Sequence, residues 1–302
     1  MFNFLPAKLI GFLSLTLYTL NTIFWLLPIL VFSLLKALIP IKRSQKIFSY
    51  LLDLMATSWV AMNTLNQKLF TQFEIQITGL EALNRKDWYL VLANHQSWVD
   101  IVVLQRALHG QIPFLKFFLK MELIYIPILG LAWWALDFPF MKRYSQSFLK
   151  NNPHLKGKDL DTTRKACAKF KHKPVSVMSF IEGTRYTQAK YDKQNSPFNH
   201  LLKPKAGGIA FVLDAMGENL NTIVDITIHY PNGIPTFVDF LYGRVKTVYM
   251  EVHTTEITKE LTGDYFNDRN FKIYFQKWLT QFWHDKDVRL DRMIQKSTDK
   301  ES

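Results

Sequence analysis

The feature that most restricts how this chain can fold is a long stretch near the N-terminus without a charged side chain. Between Lys8 and Lys36 lie about 27 residues, most of them apolar, whereas about 20 suffice to cross a bilayer as a helix. The stretch is too long for the core of a signal peptide, and two spans would need about 40 residues. It predicts one transmembrane helix or a membrane-embedded helix bent near Pro28. The alternative is a buried helix of a soluble core.

The charges that flank this stretch predict its orientation. Lys36, Lys42, Arg43 and Lys46 follow it, whereas Lys8 precedes it. Basic residues accumulate on the cytoplasmic side of membrane segments. We therefore expect everything beyond the stretch to lie in the cytoplasm.

Further along, strand-like and helix-like patterns alternate, which indicates an α/β sheet domain. The predicted strands are residues 73–78, 88–93, 175–180, 223–230 and 247–253, and the predicted helices are residues 44–72, 161–172, 206–216 and 271–295. The last helix is amphipathic and either docks on the domain, which we favour, or rests on the membrane. Residues 188–202 have the polar composition of a surface loop. The apolar stretch 124–136 is too short to span a bilayer and fits core packing, an interfacial contact or the wall of an acyl-chain pocket.

The net charge, the cysteine count and the missing motifs restrict the classes of function that the chain could have. The net charge of +12 implies an anionic partner. Nucleic acid is one candidate, but no zinc-finger spacing, RNA-binding aromatic signature or basic helical arm occurs, and an anionic membrane or a phosphate-bearing substrate explains the charge equally well. Cys167 is the single cysteine, so no internal disulfide forms, and a reducing compartment fits. Recognisable zinc, nucleotide and serine-elbow motifs do not occur, and we expect no metal and no cofactor.

Two polar clusters follow predicted strands. In the first, 94-NHQSWVD-100, His95 could act as a general base and Asp100 could orient it. Two residues five positions apart on one helix lie about 140° apart around its axis. His95 and Asp100 therefore meet only if His95 lies in the turn after the strand and Asp100 lies in the first turn of the next helix. A purely structural histidine is the alternative. The second cluster, 180-FIEGTR-185, offers Gly183 for a tight turn and Arg185 as a phosphate-binding fork.

Together these clusters carry a family resemblance. Residues 94–100 resemble the N-H-x-x-x-x-D block of the glycerolipid acyltransferases of the lysophosphatidic acid acyltransferase type, and residues 180–185 resemble their F-P-E-G-T-R block, with Ile181 in place of proline. Residues 140–143 resemble the middle G-x-x-F-I-x-R block, with Asp137 at the glycine. Residues 224–231 resemble the fourth block, an apolar strand closed by proline. The four blocks occur in the family's order, and the filling of the first block is closest to bacterial members similar to lysocardiolipin acyltransferases.

The resemblance implies a mixed β-sheet flanked by helices. Together with the uncharged stretch and the predicted helices, it divides the chain into four parts. These are a membrane anchor (1–40), a helical connector (41–72), an acyltransferase domain (73–255) and a C-terminal helical extension (256–302). It also implies transfer of an acyl group from acyl-coenzyme A or acyl carrier protein to a lysophospholipid, at the inner membrane of a bacterial cell. Phospholipid membrane is then the expected partner, and nucleic acid is not.

The implied roles are specific. His95 would be the base and Asp100 its partner; Arg143 and Arg185, with Lys205 as a weaker third candidate, would bind the acceptor phosphate. Glu182, Gly183 and Thr184 would shape the glycerol pocket. An acyl intermediate on Ser97 is a minor alternative, because a residue two positions from His95 usually points elsewhere. The rival functions are acylation of another lysophospholipid, such as lysophosphatidylglycerol or lysocardiolipin, and a binding protein that kept the fold without activity.

Overall fold

A computed structural model describes residues 5–127, 129–141 and 173–301 of the chain. The predicted helix over 161–172, Cys167 and Arg143 lie outside these residues. In the described part, the helices are α1 (Ala7–Leu38), α2 (Lys42–Asn66), α3 (Val99–Leu108), α4 (Leu129–Ala135), α5 (Gln188–Gln194), α6 (Ala206–Met216), α7 (Phe237–Leu241) and α8 (Arg269–Glu301). The strands are β1 (Glu74–Thr78), β2 (Tyr89–Ala93), β3 (Leu115–Phe117), β4 (Leu119–Lys120), β5 (Phe140–Met141), β6 (Ser176–Phe180), β7 (Thr222–His229) and β8 (Thr247–Glu256).

The main sheet has six strands in the order β1-β8-β7-β2-β6-β3. Every neighbouring pair is parallel except β7 with β8, so the sheet is mixed, as predicted. The central strand β2 is buried along its whole length, which explains its continuous apolar sequence. Ala93 at its end pairs with Phe180 of β6 and Ile226 of β7. The carboxyl ends of these strands therefore meet at one edge.

Alternate residues of β2 pack in two separate hydrophobic cores, because successive side chains of a strand point to opposite faces of the sheet. Val91 and Ala93 pack in the core that includes residues of α1, α2 and α3. Leu90 and Leu92 pack in the core that includes α6 and α8. The C-terminal helix is therefore docked on the domain. The predicted loop over 188–202 is partly wrong, because α5 forms there with the Thr187 hydroxyl accepting the Lys190 N–H at its start.

Helices α1 and α2 pack against each other as an antiparallel hairpin. The Asn21 side chain donates to Asn63 Oδ1 at 2.7 Å, and Phe32 contacts Phe48. Early residues of α1 therefore meet late residues of α2, and late residues of α1 meet early residues of α2. Helix α1 runs through Pro28 without an interruption. Among the described residues it is the one helix long and apolar enough to cross a membrane, by length and composition.

The end of α1 is joined to the segment before β5 by an ion pair. Lys36 Nζ lies 2.5 Å from Asp137 Oδ2. Asp137 occupies the position where the resembled family block has glycine, and its φ is +57°. Aspartate is one of the few residues besides glycine that tolerate this left-handed conformation. Asp137 therefore adopts a backbone conformation that glycine also favours, and its side chain adds a contact to α1.

Candidate active site

The candidate site lies where β2, β6 and β7 end side by side. Crevices at the carboxyl ends of strands are where α/β sheets bind ligands. His95 follows β2, Glu182 follows β6 and Tyr230 follows β7. The His95 carbonyl accepts the Tyr186 N–H at 2.7 Å, and the Asn94 side chain both donates to and accepts from the Ile228 backbone, at 2.9 and 2.8 Å. These bonds tie the loop after β2 to both neighbouring strands.

His95 and Asp100 form a hydrogen-bonded pair. His95 lies in the loop after β2, and Asp100 is the second residue of α3, which is the arrangement that the five-residue separation predicts. His95 Nδ1 lies 2.8 Å from Asp100 Oδ2. The imidazole also stacks on the Phe180 ring, with centroids 3.8 Å apart and planes 13° apart. Both contacts hold the ring, and Nε2 remains as the nitrogen that a substrate hydroxyl can approach.

The Asp100 carboxylate is fully buried and has four donors. Oδ2 accepts the Gln96 and Ser97 N–H groups at 2.7 and 2.9 Å in addition to His95 Nδ1. Oδ1 accepts the Tyr230 hydroxyl at 2.7 Å. Burial, followed by the Asp100 charge, raises the pKa of Tyr230 well above 10, so its hydroxyl remains a donor. With Oδ2 as acceptor, Nδ1 carries the proton and Nε2 presents a lone pair.

Glu182 occupies a different place from the one implied by the resemblance. The residue is 1% exposed. Its Oε2 accepts the His95 N–H and its Oε1 accepts the Leu202 N–H, each at 3.2 Å. Burial raises the pKa of Glu182 to about 8, against the lowering effect of these two N–H groups and of Lys286. The side chain therefore holds the backbone behind the histidine and is not among the residues that line the cavity beside His95.

Two lysines approach the other residues of this cluster. Gly183 has φ +70°, and a Cβ there would lie 2.9 Å from Lys205 Nζ. Lys190 Nζ donates to the Thr184 hydroxyl and the Arg185 carbonyl, both at 2.8 Å. Glycine therefore permits both the turn and the approach of Lys205.

Arg185 is exposed and lies beside the cavity. Its guanidinium carbon lies 4.8 Å from the centre of the Trp98 ring, a cation–π distance. The planar guanidinium of Arg185 lies over the indole of Trp98, so the N–H groups at the rim of the guanidinium stay available to a ligand. The arrangement suits a bidentate contact with an anionic group.

A cavity of about 590 Å³ opens beside His95. Its walls are mainly apolar and come from both the sheet domain and the helical hairpin. The lining residues include Trp25, Ile29, Trp59, Trp98, Phe117, Trp133, Phe138, Phe180, Gly183, Thr184, Arg185 and Lys120. Part of the apolar stretch 124–136 forms this wall. The cavity thus combines mainly apolar walls with His95 and the cationic side chains of Arg185 and Lys120.

Ser97 has a structural role that leaves its hydroxyl occupied. Its Oγ donates to the Pro235 carbonyl at 2.5 Å and accepts the Val99 N–H at 3.1 Å, and the residue is buried. Among the described residues no cluster of three or more His, Cys, Asp or Glu could hold a metal ion.

Three contributors to the site were missed in the sequence. Tyr230 completes the Asp100 hydrogen bonds, Trp98 supports Arg185, and Lys120 lines the cavity. Tyr230 lies in the fourth resembled block, so its place next to the proline offered a signal. Lys120 is the second residue of the two-residue strand β4, which pairs with β5, and nothing in its local sequence distinguishes it from a solvated lysine.

The fold and the paired residues define a class of α/β transferase. A family model described as Acyltransferase matches residues 74–230, which is more than half of the chain. The protein belongs to this acyltransferase family.

Named relatives and one solved structure agree with this assignment. The chain is 25% identical over 236 residues, 74% of its length, to the "Probable 1-acyl-sn-glycerol-3-phosphate acyltransferase 5" of Arabidopsis thaliana. It is 23% identical over 262 residues, 82% of its length, to lysocardiolipin acyltransferase 1 of Gallus gallus. These matches cover 58% and 65% of the two relatives, so the chain spans about three fifths of their length. The crystal structure of the 1-acyl-sn-glycerophosphate (LPA) acyltransferase PlsC from Thermotoga maritima shares the fold, with a TM-score of 0.53, 16% identity and coverage of 94% and 95% of the two chains.

Proposed function

We propose that the protein is a membrane-bound acyltransferase that acylates the free hydroxyl of 1-acylglycerol-3-phosphate, giving phosphatidic acid. The donor is acyl-coenzyme A or acyl carrier protein, and the product serves phospholipid biosynthesis or remodelling. The observation that supports this most directly is the oriented His95–Asp100 pair beside a large apolar cavity. An apolar cavity suits an acyl chain, and the cations beside it suit a phosphate.

The proposed reaction is a direct transfer. His95 Nε2 removes the proton of the acceptor hydroxyl while its oxygen attacks the thioester carbonyl carbon. The new C–O bond forms, the C–S bond breaks, and the imidazolium returns the proton to the departing thiolate. Asp100 stabilises the imidazolium and holds the tautomer. A thioester is already activated, so the transfer requires neither a metal nor an acyl-enzyme.

Arg185 and Lys205, together with Arg143, are proposed to bind the acceptor phosphate. Arg185 offers a planar fork of donors beside the cavity, and Lys205 lies against Gly183. Gly183 and Thr184 then border the glycerol. The role of Glu182 changes from the one that the resemblance implies, and it supports the His95 backbone instead.

We also propose that α1 anchors the enzyme in the inner membrane of a bacterial cell with the sheet domain in the cytoplasm. The exposed side chains of α1 support this, because Phe12, Phe24 and Leu27 are each more than half exposed. The basic residues that follow α1 support the orientation. An enzyme held at this interface meets lipid substrates that partition into the bilayer.

Lysocardiolipin or another lysophospholipid is the second candidate acceptor, favoured by the likeness to lysocardiolipin acyltransferase 1. The test is to incubate the purified full chain in lipid–detergent micelles with acyl-coenzyme A and a panel of lysophospholipids, and to identify the products by mass spectrometry. We expect phosphatidic acid to form fastest and His95→Ala to abolish most of it. A faster rate with lysocardiolipin supports the second candidate. No histidine-dependent transfer to any lysophospholipid, with either donor, overturns the proposal.

A further inference from the structure

The C-terminal helix α8 lies beyond residues 74–230, which the family model matches, yet it reaches the backbone behind the candidate site. Buried Lys286 anchors it to β7, donating to Asp225 Oδ1 at 2.6 Å and to the Ile226 carbonyl at 2.7 Å. A buried ion pair with a further hydrogen bond requires a defined geometry. The helix therefore has a definite register on the sheet.

Two side chains of α8 hold the segment 199–202. Asp287 is 3% exposed. Its Oδ2 accepts the Asn199 N–H at 2.6 Å, and its Oδ1 accepts the His200 N–H at 2.9 Å. Trp283 is fully buried, and its Nε1–H donates to the Leu202 carbonyl at 3.0 Å. Leu202 is buried, and a buried backbone carbonyl must find such a partner.

The same segment continues to the histidine. The Leu202 N–H donates to Glu182 Oε1, and the His95 N–H donates to Glu182 Oε2. One buried carboxylate therefore joins the two backbones. A shift of Leu202 is transmitted to the peptide of His95, because the carboxylate cannot follow both donors if they separate.

We propose that Trp283 and Asp287 of α8 are positioning residues for His95, acting through the segment 199–202 and Glu182. The kinetic consequence rests on the proposed function, since it assumes that His95 is the base. A general base is sensitive to displacements of about 1 Å. The helix would thus be required for turnover although it touches no substrate.

The main test is Trp283→Phe in the full chain in micelles. Phenylalanine keeps an aromatic ring beneath Lys286 Nζ, which lies 5.2 Å from the indole, and removes the N–H that Leu202 accepts. We expect kcat to fall about 10-fold while KM for lysophospholipid stays within about twofold. Amide hydrogen exchange, followed by mass spectrometry, should become faster in the peptide that contains residues 93–98.

Phe275→Leu is the matched control. Phe275 is also fully buried in α8, but its ring contacts are with Tyr265, Phe271 and Trp278. It should lower the thermal midpoint without changing kcat or the exchange of residues 93–98. If Trp283→Phe behaves like this control, the proposed link is overturned.

Asp287→Asn is the second variant, for use if Trp283→Phe does not fold. Asparagine keeps one acceptor oxygen for the two N–H groups, so we expect an intermediate loss of kcat with the same rise in exchange. Unchanged kcat and exchange would overturn the proposal. If wild-type protein transfers no acyl group, the proposed function fails, and the exchange result by itself still supports or overturns the link.

Discussion

The hydrogen bonds of Asp100 allow a quantitative prediction for Asp100→Asn. Oδ2 accepts three N–H donors, two of them from the backbone of Gln96 and Ser97. The amide oxygen of asparagine should occupy this position, because an NH2 group there would face both backbone donors and leave them unsatisfied. The amide NH2 then faces the Tyr230 hydroxyl, which can rotate to accept.

This orientation predicts that the histidine keeps its tautomer. Nδ1–H still donates to an oxygen, so the geometry survives and the carboxylate charge is what is lost. At about 4 Å and an effective dielectric constant of about 20, a unit charge pair is worth about 4 kcal/mol. That is about three orders of magnitude in rate, taken as an upper value. The expected loss in kcat is thus about 10²- to 10³-fold, with KM within about twofold.

The assay is product formation from lysophosphatidic acid and acyl-coenzyme A, followed by mass spectrometry. The thermal midpoint of the variant should change little, because every backbone donor retains an acceptor. In the double variant with His95→Ala, Asp100→Asn should add almost nothing, since its effect acts through the imidazolium. A loss below about 10-fold, or an equal further loss in the absence of His95, would refute the reasoning.

Four further predictions can be checked with the same protein. His95→Ala should lower kcat by about two to four orders of magnitude without changing the thermal midpoint by more than a few degrees; near-normal turnover would exclude it as the base. Arg185→Lys keeps the charge but loses the fork, so KM for the acceptor should rise with donor KM nearly unchanged, and equal increases would contradict this. Removal of residues 1–40 should convert firm membrane attachment into weak liposome binding that falls with salt, whereas resistance to alkaline carbonate extraction would show a second anchor. Because the pKa of Glu182 is raised in the folded state, its contribution to stability is complete below about pH 4.5 and is lost as the pH rises towards about 8. Glu182→Gln should therefore flatten the pH dependence of the thermal midpoint between these values, and an unchanged slope would contradict the assignment.

The local parts of the fold and of the site were predictable from the sequence. Residues 89–93 form a buried strand because their continuous apolar side chains suit a strand covered on both faces. The His95–Asp100 contact is also local, since a turn followed by the first turn of α3 brings the two together. The uncharged stretch near the N-terminus became one long helix for the same reason, as apolarity and length both act along the chain.

Contacts between distant segments depended on the tertiary structure. Glu182 carries the same carboxylate whether it faces a substrate or a backbone, and strand register placed it behind His95, 87 positions away along the chain. Tyr230 reaches Asp100 across 130 positions because β7 ends beside β2. The cavity walls combine α1 and α2 with the sheet domain, and an apolar residue that lines such a cavity has the same local pattern as one that faces lipid or a core. The sequence determined which chemical groups are present and their local geometry, whereas packing decided which of them face the cavity and which hold the backbone around it.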